Sequence, residues 1–156
     1  MIKTATIALL FALGLTYVMM NSDGATGNDS MVFVMAKAAA WATGNIWYLV
    51  SPLISLVGVF IAGSNTVLNI LFGPFQFGTA AQAGLPVFPI LALQAVGGAA
   101  GNMICIHNVV AALTTIGLIG KEGLVIRKNI YISILYGLLA GAVAWIIVAL
   151  FFPNIL

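Results

Sequence analysis

Long apolar runs broken by short polar ones pattern this chain from end to end. The first run, about Ile2–Met20, stops at "NSDGATGNDS", residues 21–30. It has the length of a membrane-spanning helix, and the polar stretch after it is rich in turn formers. Residues 31–44, "MVFVMAKAAAWATG", are apolar but short for a span, which predicts a helix lying at the membrane interface with Trp41 as its anchor. From Ser51-Pro52 the apolar phase returns, with Pro52 read as a helix start. Gly63-Ser64-Asn65-Thr66 then interrupts it. Counted from Pro52 to Ala62 the first arm has 11 residues, or roughly 16 Å at 1.5 Å per residue. That is about half of a ~30 Å hydrocarbon core, so the pattern predicts a re-entrant hairpin over 46–79 with its tip at 63–66. A second interruption, "GGAAGN" at 97–102, predicts a discontinuous helix over 86–120. Glycines at 97, 98 and 101 either weaken the helix or let another backbone lie close against it. The last run, 130–152, is a span with Gly137 and Gly141 as a small-residue packing face.

Composition sharpens this into a class. Hydrophobic residues make up 63% of the 156 residues and charged ones 5%, with a mean hydropathy of +1.20. Soluble domains carry about 25% charged residues, so this chain cannot clothe itself for water. The expected fold class is an all-α integral membrane protein. Residues 1–20 also imitate a signal peptide, with Lys3 ahead of an apolar run, but the run is long and lacks a good Ala-x-Ala site. Five basic and three acidic side chains give a net charge of +2, too few to speak for nucleic acid. The lone Cys105 rules out an internal disulfide and a cysteine zinc cage. No metal site or cofactor is expected.

Charge placement suggests orientation. Lys121, Arg127 and Lys128 crowd the 121–128 segment, whereas 21–30 holds Asp23 and Asp29 and no base. The positive-inside rule therefore expects a cytoplasmic loop at 121–128 and an external loop at 21–30. The interfacial helix is bounded at 31–45 and the first span at 1–20.

No acidic pair, His/Cys cluster or phosphate loop offers catalysis, so no enzyme is expected. The polar residues at membrane depth are the candidates instead. Asn65, Asn69 and Gln76 share one helical stripe. Pro74 frees the carbonyl of Ile70. Ser64 and Asn65 can cap the arm that begins at Thr66, leaving N–H groups for an anion. The alternative is that Ser-Asn-Thr does nothing but cap a tight turn. "LQAVGGAAGNMICIHNVVAA" adds Gln94, Gly98, Gly101, Asn102, Asn108 and the only histidine, His107. His107 is either a proton carrier or substrate partner, or a neutral bridge between helices.

At these motifs a family resemblance enters. "GVFIAGSNTVLNILFGPFQ", "ILALQAVGGAAGNMICIHNVVAA" and "GLIGKEGLVIRK" resemble the C-terminal part of the L-lactate permease family, over nearly the whole chain. Members often show a small hydroxyl residue where this chain has Leu68. The Ser-Asn-Thr tip is also similar, more distantly, to the divalent-anion/sodium symporters built from inverted repeats. The resemblance implies proton-coupled transport of L-lactate and related 2-hydroxy acids such as glycolate in the bacterial cytoplasmic membrane. It implies one half of an inverted-repeat transporter, whose partner is a missing N-terminal repeat or a second copy. Gly63, Ser64, Asn65, Thr66, Asn69, Gly98, Gly101, Asn102 and Asn108 become the expected substrate site, with His107 as the proton-coupling candidate. A symporter for another small carboxylate, and a structural or inactive membrane fragment, stay open beside it.

Overall fold

The computed structural model describes residues 2–23 and 27–151, and every regular element among them is helical. Helix α1 covers Ile2–Met20, α2 Met31–Thr43, α3 Trp47–Ala62, α4 Asn65–Gln82, α5 Val87–Gly101, α6 Ile106–Thr115 and α7 Glu122–Phe151. Met1, residues 24–26 of the polar loop and Phe152 of the expected last span lie outside the described residues. By length and composition, the run Met31–Ala62 and α7 can each cross a membrane. The pair α5 and α6, bent by 41° at its break, is a third candidate.

Helix α3 is the centre of the packing. A Cβ on Gly97 would collide with the Pro52 carbonyl, and one on Gly101 would come within 2.6 Å of the Leu56 carbonyl. The matched spacing, 52 with 97 and 56 with 101, means that α3 and α5 run parallel with backbone on backbone. On another side α7 runs antiparallel to α3, with Gly141 against the Tyr48 carbonyl and Gly137 beside Leu53. Pro52 has no N–H to give to Tyr48, four residues earlier, so Gly141 covers the carbonyl that Pro52 leaves free. Helix α4 folds back along α3: Leu68 fills the space over Gly58, and at the far end the Trp47 indole donates to Gln76 at 2.9 Å. Leu68 and Gln76 are fully buried. Trp47, Tyr48, Ala80, Ile90, Leu93 and Val148 close a core around this end.

Several expected boundaries move. The helix of the first arm begins at Trp47, not Pro52, because one proline in the second turn costs a hydrogen bond that a close-packed glycine can shelter. The arm has 16 residues, or roughly 24 Å, against the 11 expected. The segment expected as a helix over 31–45 forms α2, Met31–Thr43, and a short 3-10 turn, Gly44–Ile46, joins it directly to α3. Gly44 turns the chain there with φ +48°, and Ala36 of α2 packs on Gly78 of α4. The second arm extends past 79 to Gln82. The glycines at 97, 98 and 101 stay helical, and the break falls at 102–105 rather than 97–102. Of the two roles open to those glycines, close packing is the one they fill. Most of the expected 121–128 loop is helix, since α7 starts at Glu122 instead of 130.

Candidate functional site

Two helix beginnings meet at one end of the bundle. Helix α3 ends at Gly63, which takes the left-handed conformation at φ +73°. Ser64 then caps α4, its hydroxyl accepting from the Val67 N–H at 3.4 Å and its carbonyl from Leu68 at 3.0 Å. Helix α4 thus starts at Asn65, and the N–H groups of Asn65 and Thr66 belong to the first turn, which has no carbonyl partners within the helix. The parallel helix α5 ends against α3, with Gly101 beside Leu56 and Val59. After the break, α6 starts at Ile106 with Cys105 as a cap that offers no side-chain bond.

His107 joins the two. Its Nε2 lies 2.7 Å from the Gly63 carbonyl. A carbonyl oxygen can only accept, so Nε2 is the nitrogen that donates. A Cβ on Gly63 would run into the imidazole. Gly63 is therefore fixed twice, by its φ and by the ring that covers it. With α4 and α6 both presenting N-terminal turns, the positive ends of two helix dipoles lie at this corner. From residue 38 to residue 120 the sequence has no Asp, Glu, Lys or Arg.

The expected site residues divide into groups. Gly63, Ser64, Asn65, Thr66 and His107 come together at the tip. Gly98 lies directly beneath the Asn65 amide, with no room for a Cβ. Asn69 stands one turn further along α4 and accepts from Gln94 of α5 at 2.9 Å. Gly101 serves the contact with α3 instead. Asn102 and Asn108 bond to each other across the break, Nδ2 of Asn108 donating to the Asn102 carbonyl at 3.3 Å and to its Oδ1 at 3.2 Å. They share a hollow of about 220 Å³ with Asn129 of α7, on another side from the tip. Asn129 also donates to the Met103 carbonyl at 3.4 Å and the buried Ser133 to Ala100 at 3.3 Å. These bonds satisfy carbonyls that the end of α5 leaves without helical partners.

Sequence reasoning left Gln94, Asn129 and Ser133 outside the site. The polarity of Gln94 within an apolar run was a signal; nothing local marks Asn129 or Ser133, which reach the break across 26 and 33 residues of chain. The freed Ile70 carbonyl faces the Thr16 hydroxyl of α1 at 3.5 Å, and so tethers that helix.

Comparison with known proteins places this corner in context. The family model described as L-lactate permease matches residues 1–151. A Haemophilus influenzae protein provisionally named L-lactate permease is 41% identical over 96% of this chain and 27% of its own length. The L-lactate permease of Bacillus subtilis is 30% identical over 93% of the chain and 24% of its own length. The glycolate permease of Escherichia coli is 30% identical over 76% of the chain and 21% of its own length. The chain thus spans about a quarter of the length of these relatives. No solved structure matches it. The chain belongs to the L-lactate permease family.

Proposed function

We propose that the chain is the substrate-handling C-terminal segment of a proton-coupled carrier for L-lactate and related 2-hydroxy monocarboxylates such as glycolate. The observation that carries this reading is the His107–Gly63 bond, which brings the first turns of α4 and α6 to one uncharged corner. A monocarboxylate fits such a corner: helix N-terminal N–H groups, the Ser64 and Thr66 hydroxyls and the Asn65 amide can each donate to it. No fixed cation holds the anion, so release is easy. Protonation of His107 at Nδ1 would add a positive charge beside the bound carboxylate, and each would then favour the other. That mutual preference is the thermodynamic content of symport. The carrier would lie in the bacterial cytoplasmic membrane with the basic start of α7 on the cytoplasmic side. Helices α3 and α4 would form a re-entrant hairpin within one half of an inverted repeat, completed by an N-terminal repeat or a second copy.

The test is uptake of labelled L-lactate by cells without carriers of their own. The chain is expressed alone and together with the N-terminal remainder of the Bacillus subtilis relative. Uptake by the pair, abolished by a protonophore and indifferent to sodium, is the expected result. Saturable uptake by the chain alone would replace the missing repeat with a second copy. Sodium-dependent uptake would remove the proton, and correctly inserted pairs without uptake would leave a structural role.

A further inference from the structure

Three side-chain amides stand in series behind the tip. Gln94 Nε2 donates to Asn69 Oδ1 at 2.9 Å, and Asn69 Nδ2 donates to Asn65 Oδ1 at 3.5 Å. The series runs from α5 into α4 and ends at the tip residue itself. Its far end is Gln94 Oε1, which is buried and has no partner, on a residue that is 2% exposed. Gln94 also borders a cleft of about 670 Å³ that includes Asn69, Gly73, Pro74, Phe77 and Leu91. No ionisable side chain lines that cleft.

Amides in series have two senses. Each amide has one oxygen that accepts and one nitrogen that donates, so turning one forces the next. In the sense just described Asn65 spends its oxygen on Asn69 and keeps its NH₂ for a ligand. In the reverse sense Asn65 donates inward and turns its oxygen outward. A carboxylate can only accept, so it binds the first arrangement and is repelled by the second.

We propose that Gln94 is a positioning residue of the tip: through Asn69 it sets whether Asn65 offers the substrate a donor or an acceptor. This rests on the carboxylate reading of the tip. Gln94 acts without touching the substrate. The Gln94 NH₂, donating to Asn69, holds the binding arrangement. The close seat of Asn65 Oδ1 on Gly98 keeps the amide from swinging away to escape the constraint.

The experiment compares uptake kinetics of Asn65→Ala, Gln94→Met and Gln94→Glu in the assembled permease containing this segment. Methionine matches glutamine in length but cannot donate to Asn69. Gln94→Met should raise the KM for L-lactate about ten-fold with kcat little changed. In Gln94→Glu the carboxylic acid can still donate to Asn69, whereas the carboxylate only accepts and reverses the series. The KM of this variant relative to wild type should therefore stay near unity at acid pH and climb about ten-fold as the carboxyl ionises. Taking the ratio to wild type removes the contribution of His107. An unchanged KM in Gln94→Met, or a raised ratio in Gln94→Glu that does not move with pH, overturns the proposal. If Asn65→Ala leaves KM unchanged, the carboxylate reading of the tip itself fails. If Asn65→Ala raises KM and both Gln94 variants behave as wild type, the relay alone falls.

Discussion

The imidazole of His107 donates through Nε2 to the carbonyl oxygen of Gly63 at 2.7 Å, across 44 residues of chain. This bond ties the first turn of α6 to the turn between α3 and α4. It fixes the place of the ring, to which the proposed proton-carrying role is a second capacity.

His107→Gln separates the two capacities, because glutamine donates hydrogen bonds but does not titrate. The variant should reach the membrane at normal levels and carry lactate at one fixed pH, with the pH dependence of uptake flattened. Initial rates between pH 5.5 and 8 decide the matter. A wild-type profile would leave His107 as a bridge between helices and nothing more.

Ser64 both caps α4 and offers a hydroxyl to the proposed substrate. Glycine is nearly as good an N-cap as serine, whereas alanine costs about 1 kcal/mol. Ser64→Gly should therefore melt close to wild type. Its lactate affinity should still fall, since one hydrogen bond to a charged group is worth about 1.5–3 kcal/mol, or roughly ten- to hundred-fold. Normal affinity in Ser64→Gly, with a lower melting temperature in Ser64→Ala, would return the residue to capping alone.

The turn at Gly63–Ser64 was legible because its chemistry is local. A left-handed glycine and a serine cap act within four residues of themselves, and both stand in the sequence. The break after α5 was not legible in the same way. Gly97, Gly98 and Gly101 look like weak helix from sequence, and they are helix, because the neighbours that require them lie on other elements: Pro52 against Gly97, Asn65 against Gly98 and Leu56 against Gly101. The start of α3 was missed for a related reason: the carbonyl that Pro52 frees is covered from α7. Of the tip, the sequence named the residues that face the turn. It could not show that Gln94 stands behind Asn69, or that Asn102 and Asn108 turn toward Asn129.

Two glycine substitutions should move stability in opposite directions. Gly97→Ala drives a methyl into the backbone of Pro52, where nothing flexible can yield, and overpacking of this kind costs about 1–3 kcal/mol. Gly123, in the first turn of α7, has open space around its Cβ position. Gly123→Ala should stabilise by about 0.5–1 kcal/mol through helix propensity. Unfolding of the detergent-solubilised protein measures both. A neutral Gly97→Ala would contradict the close approach of α3 and α5.

Trp47→Phe tests the opposite end of the hairpin. It leaves the buried Gln76 oxygen without the indole donor, at a cost of about 1–3 kcal/mol. The loss should appear in unfolding, with lactate affinity unchanged, because the tip lies at the other end of α3. A change in affinity with normal stability would place Gln76 in the transport path.

The seam between α3 and α5 also decides which parts of this segment can move. Where Pro52 meets Gly97 and Leu56 meets Gly101, main chain rests on main chain, and no long side chain is present to act as a cushion. The two helices must travel as a single beam, carrying the end of each together. Beyond the seam, one imidazole stitches the first turn of α6 to the turn between α3 and α4. Such a beam has no room for even one methyl group in its grain.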